Sequence, residues 1–248
     1  YSITFGMRSP AGLDIADYPL SGQGVAGDLF PWARVVGDRN QIGATAIAVP
    51  GTVAGMELAF DRFGTMPWRD LVSPAAKLAS GGLSVDWYAA LIIASSTREL
   101  AKNPTAAETF LEDGQWPTIA GWTALSDKRI NLDRMAATLQ RIADKGAREF
   151  YEGDPAAEIV ADVRDAGGCL SLDDMKFYQA VLSDPLTASY RGGAVYTPPA
   201  MTAGENLAEC LEILSHQNFE GTSPGADAYG AYVDALKATY KRRLRDMG

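Results

Sequence analysis

The sequence predicts an α+β fold, and three observations carry that prediction. A strand, tight turn and helix follow one another between Thr45 and Phe63. Long stretches on either side of the chain centre repeat their apolar residues at helical period. From Tyr178 onward the period drops to two, before helical spacing returns near the end.

Residues 2 to 5 read as a strand, and Gly6-Met7-Arg8-Ser9-Pro10 turns away from it. From Ala11 to Gly43 the glycines and prolines, among them Pro19, Gly22, Gly24, Gly27 and Pro31, predict a long connecting loop. Loops of that length in a compact domain tend to be functional or to cover something. Thr45 to Val49 alternates as a short strand, Pro50 and Gly51 supply the turn, and Thr52 is placed to cap a helix. The apolar residues Val53, Met56, Ala59, Phe60 and Phe63 share one face of that helix, which Gly64 closes. Gly51 and Gly55 allow close backbone approach, to a neighbouring element or to a ligand.

Pro67 and Pro74 each fit the first turn of a short helix, the second capped by Ser73 and ended at Gly81-Gly82. A longer helix is predicted from Val85 to Lys102, stopped by Pro104, with Leu91 and Ala94 on its core stripe. Glu112-Asp113-Gly114 predicts a turn or small hairpin within Thr109 to Pro117. Asn131 caps a helix carrying Leu132, Met135, Leu139 and Ile142, which Gly146 stops. Asp154-Pro155 opens another that ends at Gly167-Gly168, and Ser171 with Asp174 forms a capping pair for a short third. Strands are expected near Tyr178 to Ser183, Leu186 to Tyr190 and Ala194 to Thr197, with Arg191-Gly192-Gly193 turning the last pair. Two helices complete the chain, one opened by Thr202-Ala203-Gly204 and one running from Ala226 to Arg245.

A net charge of -9 argues against a general nucleic-acid binder, which needs a surplus of lysine and arginine to neutralise phosphates. The cluster Lys237, Lys241, Arg242, Arg243 and Arg245 reads as a helix terminus that complements its own dipole. Cys169 and Cys210 lack metal-ligand spacing and read as buried thiols. A single histidine, His216, excludes a multi-histidine metal site, and its place after Leu211, Ile213 and Leu214 suits the end of a helix. No Walker loop, GxGxxG after a strand, HExxH or EF-hand is present. No apolar run is long enough for a signal or a membrane span. Arg8, between a strand end and a proline, has two readings from spacing alone: a surface ion pair, or a fork that clamps a carboxylate through two parallel hydrogen bonds.

Val49-Pro50-Gly51-Thr52-Val53-Ala54-Gly55-Met56 is followed by Gly64-Thr65-Met66-Pro67-Trp68-Arg69-Asp70-Leu71-Val72 with Pro74-Ala75 and Leu78-Ala79. Phe150-Tyr151-Glu152-Gly153 comes next, then Gly167-Gly168-Cys169-Leu170-Ser171 with Asp174 and Tyr178, then Tyr190-Arg191-Gly192 and Pro198-Pro199. In this order the segments resemble the large subunit of the γ-glutamyltranspeptidase family of self-cleaving, N-terminal-nucleophile (Ntn) amidohydrolases.

The resemblance implies that residues 1 to 248 form one domain, most of a large subunit, in a four-layer αββα sandwich completed by a small subunit from the same precursor. It places the nucleophile, an N-terminal threonine whose own amino group is the base, in that small subunit, so no catalytic residue is expected here. The family's Gly-Gly-Asp segment is likewise expected outside these residues, and this chain alone is expected to be inactive. No cofactor or metal is implied. In the family an arginine just before an Ala-Pro or Ser-Pro faces the substrate carboxylate, and Arg8 is the matching position. Only Ser9 separates Arg8 from Pro10, the shorter spacing of divergent members, and Pro198 to Gly204 also departs from the form in the γ-glutamyl enzymes. The substrate reading is therefore a γ-glutamyl compound such as glutathione. The alternatives are another small acidic amide of acylase or oxamate type, or a binding scaffold without catalysis.

Overall fold

The computed structural model describes residues 1–26, 32–119, 129–199, 202–219 and 223–246. The described chain forms two compact units, one of Gly6–Gln179 and one of Tyr1–Phe5 with Ala180–Gly248. Both mix helices with short antiparallel strand pairs, so the α+β class holds.

In the second of these units, β1 (Ser2–Thr4) opens the chain. Within the larger unit the predicted long loop is partly a ribbon. β2 (Leu20–Val25) pairs with β3 (Ala33–Val35), and the positive φ of Gly22 and Gly24 lets the strand twist. Glycine content hid the strand from the periodicity. Gly27 and Pro31 lie outside the described residues.

The strand expected over Thr45–Val49 is reduced to a 3-10 turn at Ala44–Ala46 and one bridge between Val49 and Arg8. Helix α1 (Thr52–Phe63) does follow, but Thr52 is its first residue and Gly51 its N-cap, with no side chain of its own to bond the first turn. At its other end Gly64 donates to the Phe60 carbonyl.

Pro74 does not start a separate helix. It sits inside one continuous helix, α2 (Trp68–Ser80). A proline there removes a ladder hydrogen bond, about 3 kcal/mol in an isolated helix, and tertiary packing offsets it. β4 (Leu83–Ser84), α3 (Trp87–Ser95), α4 (Thr97–Leu100) and α5 (Pro104–Phe110) follow. Next come β5 (Arg129–Ile130) and α6 (Asp133–Lys145). The small buried residues Ala76, Ala79 and Ala143 let α2 lie close along α6, and the Trp68 Nε1–H donates across the gap to the Ile142 carbonyl at 2.8 Å.

The single helix expected over Val85–Lys102 is broken at Ser96. The hydroxyls of Ser95 and Thr97 bond back to the carbonyls of Ile92 and Ile93, which competes with the regular ladder. Its core face is also corrected: Leu91 is 56% exposed, while Ala90 and Ile93 pack with Val85 and Ile130. Pro104, read as a stop, is the first residue of α5, with the Asn103 side chain accepting from the Ala106 N–H. The turn at Asp113-Gly114 is as expected, both residues having positive φ between the paired Glu112 and Gln115. Asn131 sits just ahead of α6 and accepts from the Asp133 N–H.

The helices α7 (Arg148–Glu152), α8 (Asp154–Asp165) and α9 (Leu172–Lys176) complete this unit. Arg141 joins the first two, pairing with Glu149 and with Asp154 at 2.6 Å. Gly168 approaches so closely that an added methyl would meet the Ala44 carbonyl and Val163. At α9 the expected cap is present in both directions. Asp174 accepts from the Ser171 backbone and hydroxyl, while Ser171 accepts from the Asp174 N–H.

The other unit pairs β1 with β6 (Val181–Ser183), and β7 (Leu186–Tyr190) with β8 (Gly193–Thr197) around the positive-φ pair Arg191-Gly192. Helices α10 (Gly204–Ser215) and α11 (Ala226–Asp246) pack through Cys210, Leu214 and the fully buried Ala235. His216 occupies the C-cap of α10, as its position in sequence predicts. The basic cluster is largely spoken for: Arg242 pairs with Glu209, Arg243 donates to Asn206 and the Thr202 carbonyl, and Arg245 pairs with Asp246. Cys210 is buried as expected, whereas Cys169 is only half-buried. Ala200-Met201 and Met247-Gly248 lie outside the described residues. Among the described residues, no helix is long and apolar enough to cross a membrane, and no cluster of three potential metal ligands occurs.

Candidate functional site

The site is built around Arg8, in the larger unit. The segment carrying it is fixed at three points. Its main chain exchanges both hydrogen bonds with Val49, at 3.3 and 2.8 Å, and Val49 is itself buried. Three residues on, the Ala11 N–H donates to Asp174 at 2.8 Å. Between them, Pro10 is buried. Arg8 itself remains exposed.

Its guanidinium is held from two further directions. Nη2 donates to the Gln179 carbonyl at 3.1 Å, and Cζ lies 5.1 Å from the centroid of the Tyr178 ring. Tyr178 is not in a strand, as the alternating pattern predicts, but in the turn after α9, where it is 2% exposed. Its hydroxyl donates to the Gly6 carbonyl at 2.7 Å. Its ring stacks on that of Tyr151, at 5.9 Å between centroids and 5° between planes.

Tyr151 closes the circuit. Fully buried on α7, it donates its hydroxyl proton to the Pro50 carbonyl at 2.9 Å and accepts from the Ala54 N–H at 3.1 Å. A residue 97 positions away thus performs the N-terminal capping expected of Thr52. The path runs Arg8, Tyr178, Tyr151, Pro50 and back through Val49 to Arg8. The guanidinium of Arg148 lies 5.1 Å from the Tyr151 centroid, and it also pairs with Glu152 and donates to the Lys176 carbonyl.

The electrostatics follow from burial. Desolvation pushes both phenols above their usual range, against the opposing pull of the Ala54 hydrogen bond at Tyr151 and of the Arg8 charge at Tyr178. Both therefore stay neutral, as donors require. Burial raises the Asp174 carboxyl, but its hydrogen bonds from Ser171 and Ala11 win and hold it below the ordinary carboxylate range. Among the described residues no carboxylate pairs with Arg8. Among the described residues the fork is thus positioned without a carboxylate partner, and a guanidinium in that state can donate two parallel hydrogen bonds to a planar anion.

Sequence reasoning singled out Arg8 and passed over Tyr151, Tyr178 and Asp174 as parts of its setting. In the sequence Tyr151 is a motif residue, Tyr178 reads also as the start of a strand, and Asp174 is both a motif residue and a helix cap. The chain separation between Arg8 and Tyr178 leaves no local signal of their contact.

The sequence matches the family described as Gamma-glutamyltranspeptidase over residues 21–248; Arg8 lies ahead of that segment. It is 35% identical over 208 residues to a glutathione hydrolase proenzyme of Escherichia coli, covering 82% of this chain and 34% of that protein. To the Acylase ACY 1 proenzyme of Pseudomonas sp. it is 32% identical over 206 residues, 82% of this chain and 36% of the other. The chain spans about a third of the length of such curated relatives.

In fold it is similar to the γ-glutamyltranspeptidase of Helicobacter pylori, with a TM-score of 0.82 at 23% identity over 98% of this chain and 65% of that one. It is also similar to the cephalosporin acylase of Bacillus halodurans, with a TM-score of 0.78 at 22% identity over 96% and 42%. The fold is thus shared with solved γ-glutamyltranspeptidase and acylase structures. A match over nearly the whole sequence, together with these likenesses, establishes that the chain belongs to the γ-glutamyltranspeptidase family.

Proposed function

We propose that this chain is the greater part of a large subunit, that a small subunit from the same precursor carries the nucleophilic threonine, and that Arg8 binds the substrate carboxylate. The two subunits together make the αββα sandwich, and both compact units of this chain belong to its large-subunit part. The carrying observation is the Arg8 guanidinium, anchored by the Val49 bridge, the Gln179 carbonyl and the Tyr178 ring with no carboxylate partner among the described residues.

In this reading an acidic amide docks its carboxylate on Arg8. The threonine hydroxyl attacks the amide carbonyl while the threonine amino group takes its proton, an activation that needs no histidine. An acyl-enzyme forms, the amine leaves with that proton, and water or a second amine releases the acyl group. Relatives named as glutathione hydrolases support a γ-glutamyl substrate. The 32% identity to an acylase proenzyme supports a second reading, a non-γ-glutamyl acidic amide on the same scaffold.

The test is Arg8→Ala in the processed enzyme. Losing a charge-assisted bidentate pair removes about 2–3 kcal/mol of transition-state stabilisation, roughly 30- to 150-fold in kcat/KM, chiefly through KM. Unchanged kcat/KM eliminates the clamp. A panel of γ-glutamyl-p-nitroanilide against other acidic amides separates the two substrate readings. Intact mass and N-terminal sequencing of the full gene product decide between enzyme and scaffold: two fragments, the smaller starting with threonine, mark the enzyme, and an uncut chain marks the scaffold.

A further inference from the structure

A guanidinium offers a carboxylate two bidentate edges, Nε with Nη2 and Nη1 with Nη2. Each edge uses one of the two Nη2 hydrogens. The Gln179 carbonyl takes one of them, so one complete edge is left for a ligand. That single bond fixes the fork within its plane and leaves it able to pivot about the N–H to O axis. The Tyr178 ring supplies the missing restraint, because a planar cation seeks the electron-rich face of an aromatic ring.

The ring is itself immobilised twice, by the hydroxyl bond to the Gly6 carbonyl and by the near-parallel stack on buried Tyr151. An exposed arginine has four rotatable bonds to order when it meets a ligand. Here much of that ordering is built in beforehand, which lowers the cost of binding.

We infer that Tyr178 is a positioning residue for Arg8, setting the plane of the open guanidinium edge so that the site selects amides carrying a carboxylate. The inference rests on the reading of Arg8 as the carboxylate clamp. Selection works through geometry: a fork held in one plane gives two parallel bonds to a planar carboxylate and little to a neutral group in the same place.

The experiment compares two substrates on the processed enzyme, γ-glutamyl-p-nitroanilide and 4-aminobutanoyl-p-nitroanilide, which is the same amide without the α-carboxylate. Tyr178→Phe keeps the ring face and the stack on Tyr151 but loses the Gly6 bond, so kcat/KM for the carboxylate-bearing anilide falls by less than in Tyr178→Leu. Tyr178→Leu lowers kcat/KM for the carboxylate-bearing anilide about three- to tenfold, mostly in KM, and leaves the other unchanged. Since Tyr178 is buried, a graded set of fluorinated phenylalanines at position 178 provides an isosteric series if the leucine variant does not fold. KM for γ-glutamyl-p-nitroanilide should rise stepwise as fluorine drains the ring face.

Equal losses on both anilides, or a flat fluorine series, overturn the inference. If Arg8→Ala impairs the γ-glutamyl anilide while the position-178 variants do not, the inference alone fails. If Arg8→Ala is neutral, or the wild type shows no preference for the carboxylate, the clamp reading fails and takes the inference with it.

Discussion

Replacing Tyr151 with phenylalanine removes one oxygen and leaves the ring, so the stack on Tyr178 is preserved while two main-chain groups lose their partner. The Ala54 N–H is in the first turn of α1, and Ala54 is 5% exposed, so water does not readily replace the phenol. A neutral hydrogen bond contributes about 1 kcal/mol net, and a buried donor left unpaired costs about 1–3 kcal/mol. Together the two losses destabilise the Pro50–Ala54 turn by about 2–3 kcal/mol. If the Ala54 amide exchanges through opening of that turn, its protection falls roughly 30- to 150-fold. The assay is hydrogen-deuterium exchange of the processed protein, following the peptide over Val49–Met56 with a peptide of α10 as internal reference. Because Val49 is bridged to Arg8, KM for a carboxylate-bearing amide should also rise, by less than in Arg8→Ala. Unaltered exchange at Ala54 would refute the view that Tyr151 caps α1 and braces the Arg8 segment.

Asp174→Asn should lower stability by about 1–2 kcal/mol at neutral pH, since it weakens bonds to Ser171 and Ala11 that the carboxylate accepts as a charge. The folded carboxyl titrates below its unfolded value of about 3.9, so the wild-type advantage is full above that pH and is lost as pH falls through the folded value. The difference between the thermal melts of the two proteins should narrow as pH falls below about 3.9, and a constant difference would contradict the assignment. Glu57→Gln should act in the opposite sense: burial raises the Glu57 carboxyl, with Arg148 pulling it down, so ionisation is unfavourable in the fold. The variant is expected to melt higher at pH 7, with the gain vanishing in acid; a lower melting point at pH 7 would count against it. Gly168→Ala forces a methyl onto Val163 and the Ala44 carbonyl, and should cost about 2 kcal/mol or more in urea unfolding. A neutral result would mean that the backbone relaxes there.

Elements whose signals are local were legible in the chain. The Ser171–Asp174 cap, the Asp113-Gly114 and Arg191-Gly192 turns, and the stop at Gly146 each depend on residues within a few positions of one another. At two prolines the commonest role of the residue is not the one the fold uses. Pro104 starts a helix because Asn103 caps it, and Pro74 stays inside one because packing of α2 along α6 outweighs the lost bond.

The sequence by itself determined the α+β class, the family through its motif order, and Arg8 as the candidate clamp. Tertiary structure alone decided what Arg8 is: a fork held by the Gln179 carbonyl and the Tyr178 ring, braced through Tyr151 to the turn at Pro50. The hydrogen bonds of this network join residues 97 to 172 positions apart, and even the tyrosine stack joins residues 27 apart. Local propensity and periodicity act over a few residues, so the setting of Arg8 arises only when the fold buries the tyrosine pair beside it.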